Sequence, residues 1–206
     1  SKELYEQYKK NSLNVSIIEN CLSEENSFID FKKQKSYTSE IGFVGRLDEQ
    51  KGISYLSKLI KLTSKEKFIS KIEIAGTGVL IDNVNDLINY SSKVYYYGFL
   101  DSPFTVIKSK IFLMPSTYEG FPLTILELVN SGLVPLTSNI IAFKNILPDN
   151  YPMLKFNLDD DIKLIKYILL NQEYRLDMYD RISTHFKSNY SFNSWKNNWL
   201  KILDNK

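Results

Sequence analysis

Two carboxylates separated by seven residues, Glu119 and Glu127, form the most informative pattern in this 206-residue chain. A Gly-Phe-Pro turn follows Glu119, and Glu127 lies in an apolar run with helical spacing. At 1.5 Å per residue the two carboxylates would be roughly 10 Å apart. The free N–H groups and the dipole of a helix start attract anions. The pattern therefore favours a ligand with a central diphosphate and a hydroxyl-rich group at each end, such as a nucleotide-sugar.

The turn between the two glutamates carries further groups that suit an anion. Pro122 fits the first helical position, because its missing N–H would have no helical partner there, and Thr124 adds a hydroxyl. Glu119 could instead cap the helix, and Glu127 could be a solvated helix residue, although its apolar neighbours argue against exposure. The backbone N–H groups predicted to meet phosphate or sugar hydroxyls are those of Gly120, Phe121 and Leu123.

Two cations, Arg46 and Lys51, follow the apolar run 41–44 in a loop that has a glycine at each end. The carboxyl end of a strand is where doubly wound folds bind ligands. Arg46 could hold a phosphate through two hydrogen bonds, and Lys51 could act as a point charge. The alternative is a solvated pair beside Asp48 and Glu49 that forms weak surface ion pairs. The presence of the two glutamates downstream favours the diphosphate interpretation.

Gly76 and Gly78 begin a pattern that resembles a dinucleotide-binding fingerprint. The third glycine of that fingerprint is replaced by Ile81, and no acidic residue ends the next strand near Tyr97. A dinucleotide site is therefore not supported. We interpret the two glycines as positions where the backbone approaches a nucleotide closely, with a purely structural turn as a nearly equal alternative.

Composition limits the other classes of site. With one cysteine, Cys21, and one histidine, His185, the chain cannot build a zinc site from these residue types, and we expect no metal. Residues 159–161 (Asp-Asp-Asp) could form a metal-binding D-x-D, but they open a helical pattern, where acidic residues act as caps, and this interpretation is favoured. A net charge of +2 predicts no nucleic-acid partner.

Four segments together resemble the motifs of retaining GT-B glycosyltransferases, especially those of family 4. They match that family in order and spacing, and the resemblance runs from about Val15 to the end of the chain. The four segments are 45–52 (G-R-L-x-x-x-K-G), 74–78 (I-x-G-x-G), 94–100 (v-x-f-x-G-x) and 119–127 (Glu-x7-Glu). The resemblance implies transfer of a sugar from a UDP- or GDP-sugar to a glycan or lipid-linked acceptor, without a further cofactor, in bacterial surface polysaccharide synthesis.

The resemblance also implies roles for single residues. Arg46 and Lys51 would bind the donor's diphosphate, Glu127 would accept hydrogen bonds from the ribose hydroxyls, and Glu119 would contact the donor sugar near the reacting carbon. Phe99 would lie by the base, although a buried core position is the commoner fate of a lone phenylalanine. The glycines that would complete the donor site are Gly45, Gly76, Gly78, Gly98 and Gly120.

The elements that must position these residues alternate between strand-like and helix-like patterns. Strands are predicted at 15–18, 41–44, 71–75, 93–97, 111–114 and 133–137, and helices at 53–62, 79–90, 123–131, 160–170, 173–187 and 193–203. This alternation predicts an α/β fold with a doubly wound parallel sheet, the Rossmann-like half of a GT-B enzyme, followed by C-terminal helices.

By resemblance, the chain divides into three parts. Residues 1–22 would end an N-terminal domain, residues 23–190 would form the nucleotide-sugar-binding domain, and residues 191–206 would form a crossing helix with an apolar stripe of Trp195, Trp199 and Ile202. The acceptor-binding half would be missing, so the fragment is expected to bind donor weakly and not to transfer sugar. The parent enzyme is expected to be cytoplasmic, with peripheral membrane contact through the missing half.

Other functions are compatible with parts of the pattern. A nucleotide-sugar epimerase shares the GT-B fold, but the loop with Arg46 and Lys51 argues against it. A non-catalytic module on the same fold would bind no nucleotide. The sequence leaves open the base, the donor sugar, the acceptor, the linkage and the oligomeric state.

Overall fold

The computed structural model describes residues 36–204, together with residues 9, 16 and 18–21. In this part of the chain, five strands are present: β1 (Ser39–Val44), β2 (Ile72–Ala75), β3 (Val94–Tyr96), β4 (Ser109–Met114) and β5 (Pro135–Thr137). They pair in parallel in the order β3-β2-β1-β4-β5. The predicted doubly wound parallel sheet is confirmed. The strand predicted at 15–18 and most of the predicted first segment, 1–22, lie outside the described residues.

The sheet order places a topological switch between β1 and β4. The chain leaves β1 toward β2 and β3 on one side, and after β4 it continues to β5 on the other side. Ile41 pairs with Ile72 of β2 and with Ile111 of β4, and all three side chains are fully buried. Because the strands are parallel, the loops that follow β1 and β4 emerge side by side, where open α/β sheets bind ligands.

Eight helices follow within the described residues. They are α1 (Ile53–Thr63), α2 (Ile81–Tyr90), α3 (Pro103–Val106), α4 (Leu123–Asn130), α5 (Ile141–Ile146), α6 (Leu158–Leu170), α7 (Gln172–Asn189) and α8 (Phe192–Asp204). All six predicted helices are present. The sequence analysis missed α3 and α5, which have 4 and 6 residues and are too short to show a helical period.

The acidic residues at 159–161 lie in the first turn of α6, as predicted. The expectation that these aspartates cap the helix is wrong, because the cap is Asn157, whose side chain accepts a hydrogen bond from the Asp160 N–H at 3.1 Å. Asp161 is completely buried and accepts hydrogen bonds from the Tyr55 hydroxyl at 2.6 Å and the Lys155 N–H at 2.8 Å. The Tyr55–Asp161 hydrogen bond therefore links α6 to α1. In the described part of the chain, no three His, Cys, Asp or Glu side chains form a group that could hold a metal ion.

Helix α8 differs from the others because none of its residues is buried. The rings of Trp195 and Trp199 lie 6.1 Å apart along it, and Trp199, Leu200 and Leu203 are exposed. The apolar stripe predicted from the sequence is present, and its role as a crossing helix stays a prediction. Among the described residues, no helix is long and apolar enough to span a membrane.

Candidate functional site

The loops after β1 and β4 are packed directly against each other. Gly52 has a φ of 72°, and a Cβ atom there would lie 1.9 Å from the carbonyl oxygen of Pro115. The Thr117 N–H donates to the Gln50 carbonyl oxygen at 2.8 Å. Glycine at 52 is therefore required both by the left-handed backbone and by the contact, and it holds the two loops in one arrangement.

An ion pair joins the two loops at the switch point. The Lys51 Nζ atom lies 2.7 Å from Glu119 Oε1, with the side chains 18% and 7% exposed. The Ser116 hydroxyl donates to the same Oε1 atom at 2.7 Å. A second hydrogen bond orders the basic loop, because the Lys51 N–H donates to Asp48 Oδ1 at 2.9 Å. The structure thus brings together two residues that sequence analysis placed in separate motifs.

Arg46 lies at the mouth of the same site. Its side chain is 62% exposed, and its guanidinium contacts Asp48 Oδ2 at 3.0 Å and donates to Gln50 Oε1 at 2.8 Å. The Gln50 amide in turn donates to the Tyr118 carbonyl oxygen at 3.2 Å. The surface ion pair considered as an alternative is present, but it leaves most of the guanidinium open to solvent.

Sequence analysis missed Gln50 and Ser116. Neither side chain is charged, and neither stands out in composition or period. Ser116 is 1% exposed and its hydroxyl donates to Glu119, while Gln50 links the Arg46 guanidinium to the loop that carries Glu119. For Ser116, the available sequence signal was its position three residues before Glu119.

The start of α4 differs in detail from the prediction. Pro122 lies one position before the helix rather than at its first residue. The Leu123 N–H donates to the Phe121 carbonyl oxygen at 3.0 Å, so this amide is already occupied. Among the described residues, the N–H groups of Gly120, Phe121 and Thr124 donate no hydrogen bond and remain candidates for an anion. Glu119 does not cap the helix, because α4 has no side-chain cap.

Glu127 lies on the solvent side of α4. The expectation that its apolar neighbours oppose exposure is wrong, because Ile125, Leu126, Leu128 and Val129 turn toward the core while Glu127 points outward. Within the described part of the chain its side chain makes no hydrogen bond or ion pair. Its contact with ribose hydroxyls stays a prediction, and the ordinary solvated residue stays the alternative.

The glycines after β1 and β2 pack against each other. A Cβ atom on Gly76, whose φ is 136°, would lie 1.7 Å from the Gly45 carbonyl oxygen, and one on Gly78 would lie 2.4 Å from the Leu47 carbonyl oxygen. The Leu47 N–H donates to the Thr77 carbonyl oxygen at 2.9 Å. The structural alternative therefore accounts for both glycines, and their contact with a nucleotide stays a prediction.

Gly98 and Phe99 follow β3 at the same edge of the sheet. Gly98 has a φ of 68°, and its carbonyl oxygen accepts from the Gly76 N–H at 2.7 Å. The Phe99 side chain is 69% exposed, so the core position considered from the sequence is excluded. An exposed ring at this edge of the sheet is available to a flat ligand, and its role in holding the base stays a prediction.

His185 lies on α7, and its ring contacts Phe186 and Tyr190 with centroids 6.1 Å away in each case. Burial lowers its pKa, which hydrogen bonding to the Ile146 backbone and the charges of Asp149 and Glu19 partly offset. The ring is thus a packing element outside the Lys51–Glu119 site.

The fold is a doubly wound α/β domain that matches GT-B glycosyltransferase structures, and the candidate site lies at its topological switch. The chain belongs to the glycosyl transferases group 1 family, which it matches over residues 38–169. It is 28% identical over 205 residues to the O-antigen biosynthesis glycosyltransferase WclY of Escherichia coli, covering 96% of this chain and 56% of that protein. The chain thus spans about half the length of that relative.

Further similarities agree with this family. A UDP-Gal:alpha-D-GlcNAc-diphosphoundecaprenol alpha-1,3-galactosyltransferase of E. coli is 29% identical over 57% of this chain and 32% of its own length. The crystal structure of S. aureus TarM, in a complex that includes UDP, superposes with a TM-score of 0.78 at 21% identity, over 97% of this chain and 42% of TarM. The pneumococcal O-GlcNAc transferase GtfA, in complex with UDP and GlcNAc, superposes with a TM-score of 0.75 at 19% identity, over 100% of this chain and 44% of GtfA. These structures support the fold.

Proposed function

We propose that this chain is the C-terminal, donor-binding part of a retaining family 4 glycosyltransferase. The parent enzyme transfers a sugar from a UDP- or GDP-sugar to a glycan or lipid-linked acceptor in bacterial surface polysaccharide synthesis. The observation that carries the proposal is the Lys51–Glu119 pair at the switch between β1 and β4. The relatives that act in O-antigen synthesis and on a diphosphoundecaprenol substrate support the polysaccharide setting.

The geometry suggests how donor binding uses the ion pair. A diphosphate that enters beside Arg46 and the start of α4 competes with Glu119 for the Lys51 ammonium group. Lys51 and Arg46 then stabilise the charge that develops on the departing diphosphate. The Glu119 carboxylate, still held by Ser116, becomes available to the hydroxyls or the reacting carbon of the sugar.

Retention of configuration follows from the family resemblance. The acceptor hydroxyl attacks the anomeric carbon on the same face from which the diphosphate leaves, the bond from that carbon to the diphosphate breaks, and the hydroxyl proton passes to the departing diphosphate. The acceptor half lies outside the chain, so the isolated fragment is expected to bind donor without transferring sugar. Measurable transfer by the fragment would contradict this division of roles.

The experiment that tests the donor site is a thermal-shift panel on the 206-residue chain. The ligands are UDP, GDP, ADP, their common sugar conjugates and NAD. A ligand at ten times its Kd stabilises the native state by about 1.4 kcal/mol, or about 3–5 °C for a chain of this size. We expect one nucleoside diphosphate to produce this shift, and Lys51→Ala and Glu127→Ala to abolish it.

A matched control is Lys71→Ala, which removes a lysine from another ion pair. In that pair Glu73 lies on β2 and Lys71 is the residue just before this strand. The variant should lower the starting melting temperature but keep the nucleotide response. No response to any nucleotide, in the chain and in the full-length parent alike, would contradict the proposal and favour a non-catalytic module. Stabilisation by NAD alone would indicate a dehydrogenase. An altered nucleotide-sugar formed by the parent without acceptor would indicate an epimerase.

A further inference from the structure

A polar cavity of about 370 Å³ lies beside the loop that carries Glu119, apart from the Lys51–Glu119 ion pair. Four segments of the chain line it: Glu19, helix α5, the C-terminal part of α7 with Tyr190, and helix α8. Pockets for small ligands begin at about 300 Å³. This cavity therefore has room for one small ligand such as a single sugar ring.

The lining suits an uncharged, hydroxyl-rich ring. Amide side chains converge from three helices, Asn145 of α5, Asn189 of α7 and Asn198 of α8, and Trp195 contributes an aromatic wall. Each amide can donate and accept hydrogen bonds, which is what vicinal hydroxyl groups require. Among the described residues that line the cavity there is no lysine or arginine. The chemistry therefore disfavours a phosphate and favours a neutral carbohydrate.

Two amide side chains of the cavity are available to a ligand. Within the described part of the chain, the Asn145 and Asn198 side chains make no hydrogen bond, and the Asn189 amide donates to the His185 carbonyl oxygen at 2.8 Å. Because burial lowers the pKa of His185, its imidazole is uncharged near neutral pH. The Tyr190 hydroxyl stays protonated, since burial and the neighbouring Glu19 carboxylate both raise its pKa.

The cavity adjoins the loop that carries Glu119. The Tyr190 ring, which lines the cavity, lies 6.0 Å from the Phe121 ring. Phe121 is two residues after Glu119, so their Cα atoms are at most about 7 Å apart. A short oligosaccharide could therefore place one ring in the cavity while another reaches the reacting centre.

We propose that this cavity is a subsite for one pyranose ring of the acceptor glycan. The proposal rests on the proposed function and extends it, because it gives the present chain a direct part in acceptor binding. Trp195 packs against one face of the ring, and Asn145 and Asn198 bond its hydroxyl groups. The ring thereby helps to select which acceptor reaches the donor sugar.

Tryptophan fluorescence provides a direct test, because the chain has only two tryptophans, both on α8. The variant Trp199→Phe leaves Trp195 as a single reporter inside the cavity. The probes are the methyl glycosides of glucose, galactose and N-acetylglucosamine. We expect at least one to change the Trp195 emission saturably with a millimolar Kd, about −4 kcal/mol.

In the Trp199→Phe background, Asn145→Ala combined with Asn198→Ala should weaken binding at least about fivefold, the loss of about one hydrogen bond. Asn85→Ala, an exposed amide on α2, is the matched control and should leave the titration unchanged. The far-ultraviolet circular dichroism of each variant confirms that the helices remain. Equal affinities with and without the two cavity amides would overturn the proposal.

The variant Lys51→Ala separates the subsite from the donor site. If it abolishes the nucleotide response but keeps glycoside binding, both proposals are supported. Glycoside binding that disappears in Lys51→Ala would place the sugar in the donor site and overturn the subsite. No saturable emission change up to about 100 mM glycoside, with the nucleotide response intact, would overturn the subsite alone. Glycoside binding without any nucleotide response would support the subsite and contradict the proposed donor site.

Discussion

Two lysine–glutamate ion pairs of nearly equal length lie in different parts of this molecule. Lys51 Nζ is 2.7 Å from Glu119 Oε1, and Lys71 Nζ is 2.6 Å from Glu73 Oε1. The first pair joins the loops that follow β1 and β4 at the carboxyl edge of the sheet, from positions 68 residues apart. The second joins residues two apart, Glu73 on β2 and Lys71 just before it. Distance alone does not distinguish them.

The difference lies in the second oxygen of each glutamate. Glu73 is 1% exposed, its Oε2 accepts from the Thr38 hydroxyl, and its Oε1 accepts from both Lys71 and the Tyr97 hydroxyl at 2.7 Å. The Oε1 atom of Glu119 accepts from its lysine and from Ser116, whereas its Oε2 accepts no hydrogen bond within the described residues. A saturated carboxylate stabilises the fold, and a carboxylate with an open oxygen can bind a ligand.

The largest expected effect concerns transfer by the full-length parent. Lys51→Ala should lower the transfer rate about 100- to 1,000-fold, because the diphosphate loses a cation that stabilises its developing charge. Lys71→Ala should leave the rate per folded molecule within about twofold, since it lies outside the site. Rates with saturating donor measure this contrast. Similar losses in the two variants would remove the functional distinction between the pairs.

The next effect concerns stability. Glu73→Ala should lower the free energy of unfolding by about 2–4 kcal/mol, because it leaves Lys71, Thr38 and Tyr97 without their shared acceptor. Glu119→Ala should cost about 1 kcal/mol, since only Lys51 and Ser116 lose a partner. Urea unfolding followed by circular dichroism measures both values. A larger loss for Glu119→Ala would show that the Lys51–Glu119 pair stabilises the fold more than the Lys71–Glu73 pair does.

Lowering the pH should also destabilise the fold through the Lys71–Glu73 pair. Burial raises the pKa of Glu73, but the hydrogen bonds from Lys71, Thr38 and Tyr97 outweigh burial and hold that pKa below its usual value. A lowered native pKa contributes stability above the unfolded value of about 4.3, and this stability is lost as the pH falls through the native pKa. The free energy of unfolding should therefore fall more steeply below about pH 4 in the wild type than in Glu73→Gln. Parallel pH profiles would show that Glu73 does not carry the effect.

The smallest effect concerns the residue that positions Glu119. Ser116→Ala should weaken donor binding by about 1 kcal/mol, or about fivefold, because Glu119 loses one hydrogen bond but keeps its charge. Ser116→Thr retains the hydroxyl and should recover part of the affinity if the tightly packed loop admits the extra methyl group. Titration calorimetry with the nucleoside diphosphate identified in the thermal panel measures the difference. Unchanged affinity in Ser116→Ala would show that Ser116 contributes to packing but not to donor binding.

Much of the fold could be predicted because its strands are continuous apolar runs bounded by polar turns. The runs at 41–44 and 111–114 became β1 and β4, and their parallel pairing follows from the helices between strands. The order of the strands was not predicted, since it depends on contacts between distant segments. The helices α3 and α5 were missed because helices of one or two turns are too short to show a hydrophobic period in the sequence.

The candidate site shows the same division. Arg46, Lys51 and Glu119 were predicted because charged residues beside glycines at strand ends stand out in a sequence. The ion pair between Lys51 and Glu119 was not predicted, since it depends on how two loops pack through Gly52 and Pro115. The argument from burial was wrong for Glu127, because apolar neighbours along a helix do not share its face.

The pairing of Lys51 with Glu119 also sets an order of events. In the structure the Lys51 ammonium group and the Glu119 carboxylate neutralise each other's charge. Under the proposed function, a ligand that brings its own negative charge to Lys51 releases Glu119 from this ion pair. The Glu119 carboxylate would then become available only after the diphosphate of the donor has reached Lys51, so that a bound sugar and the freed carboxylate would appear together.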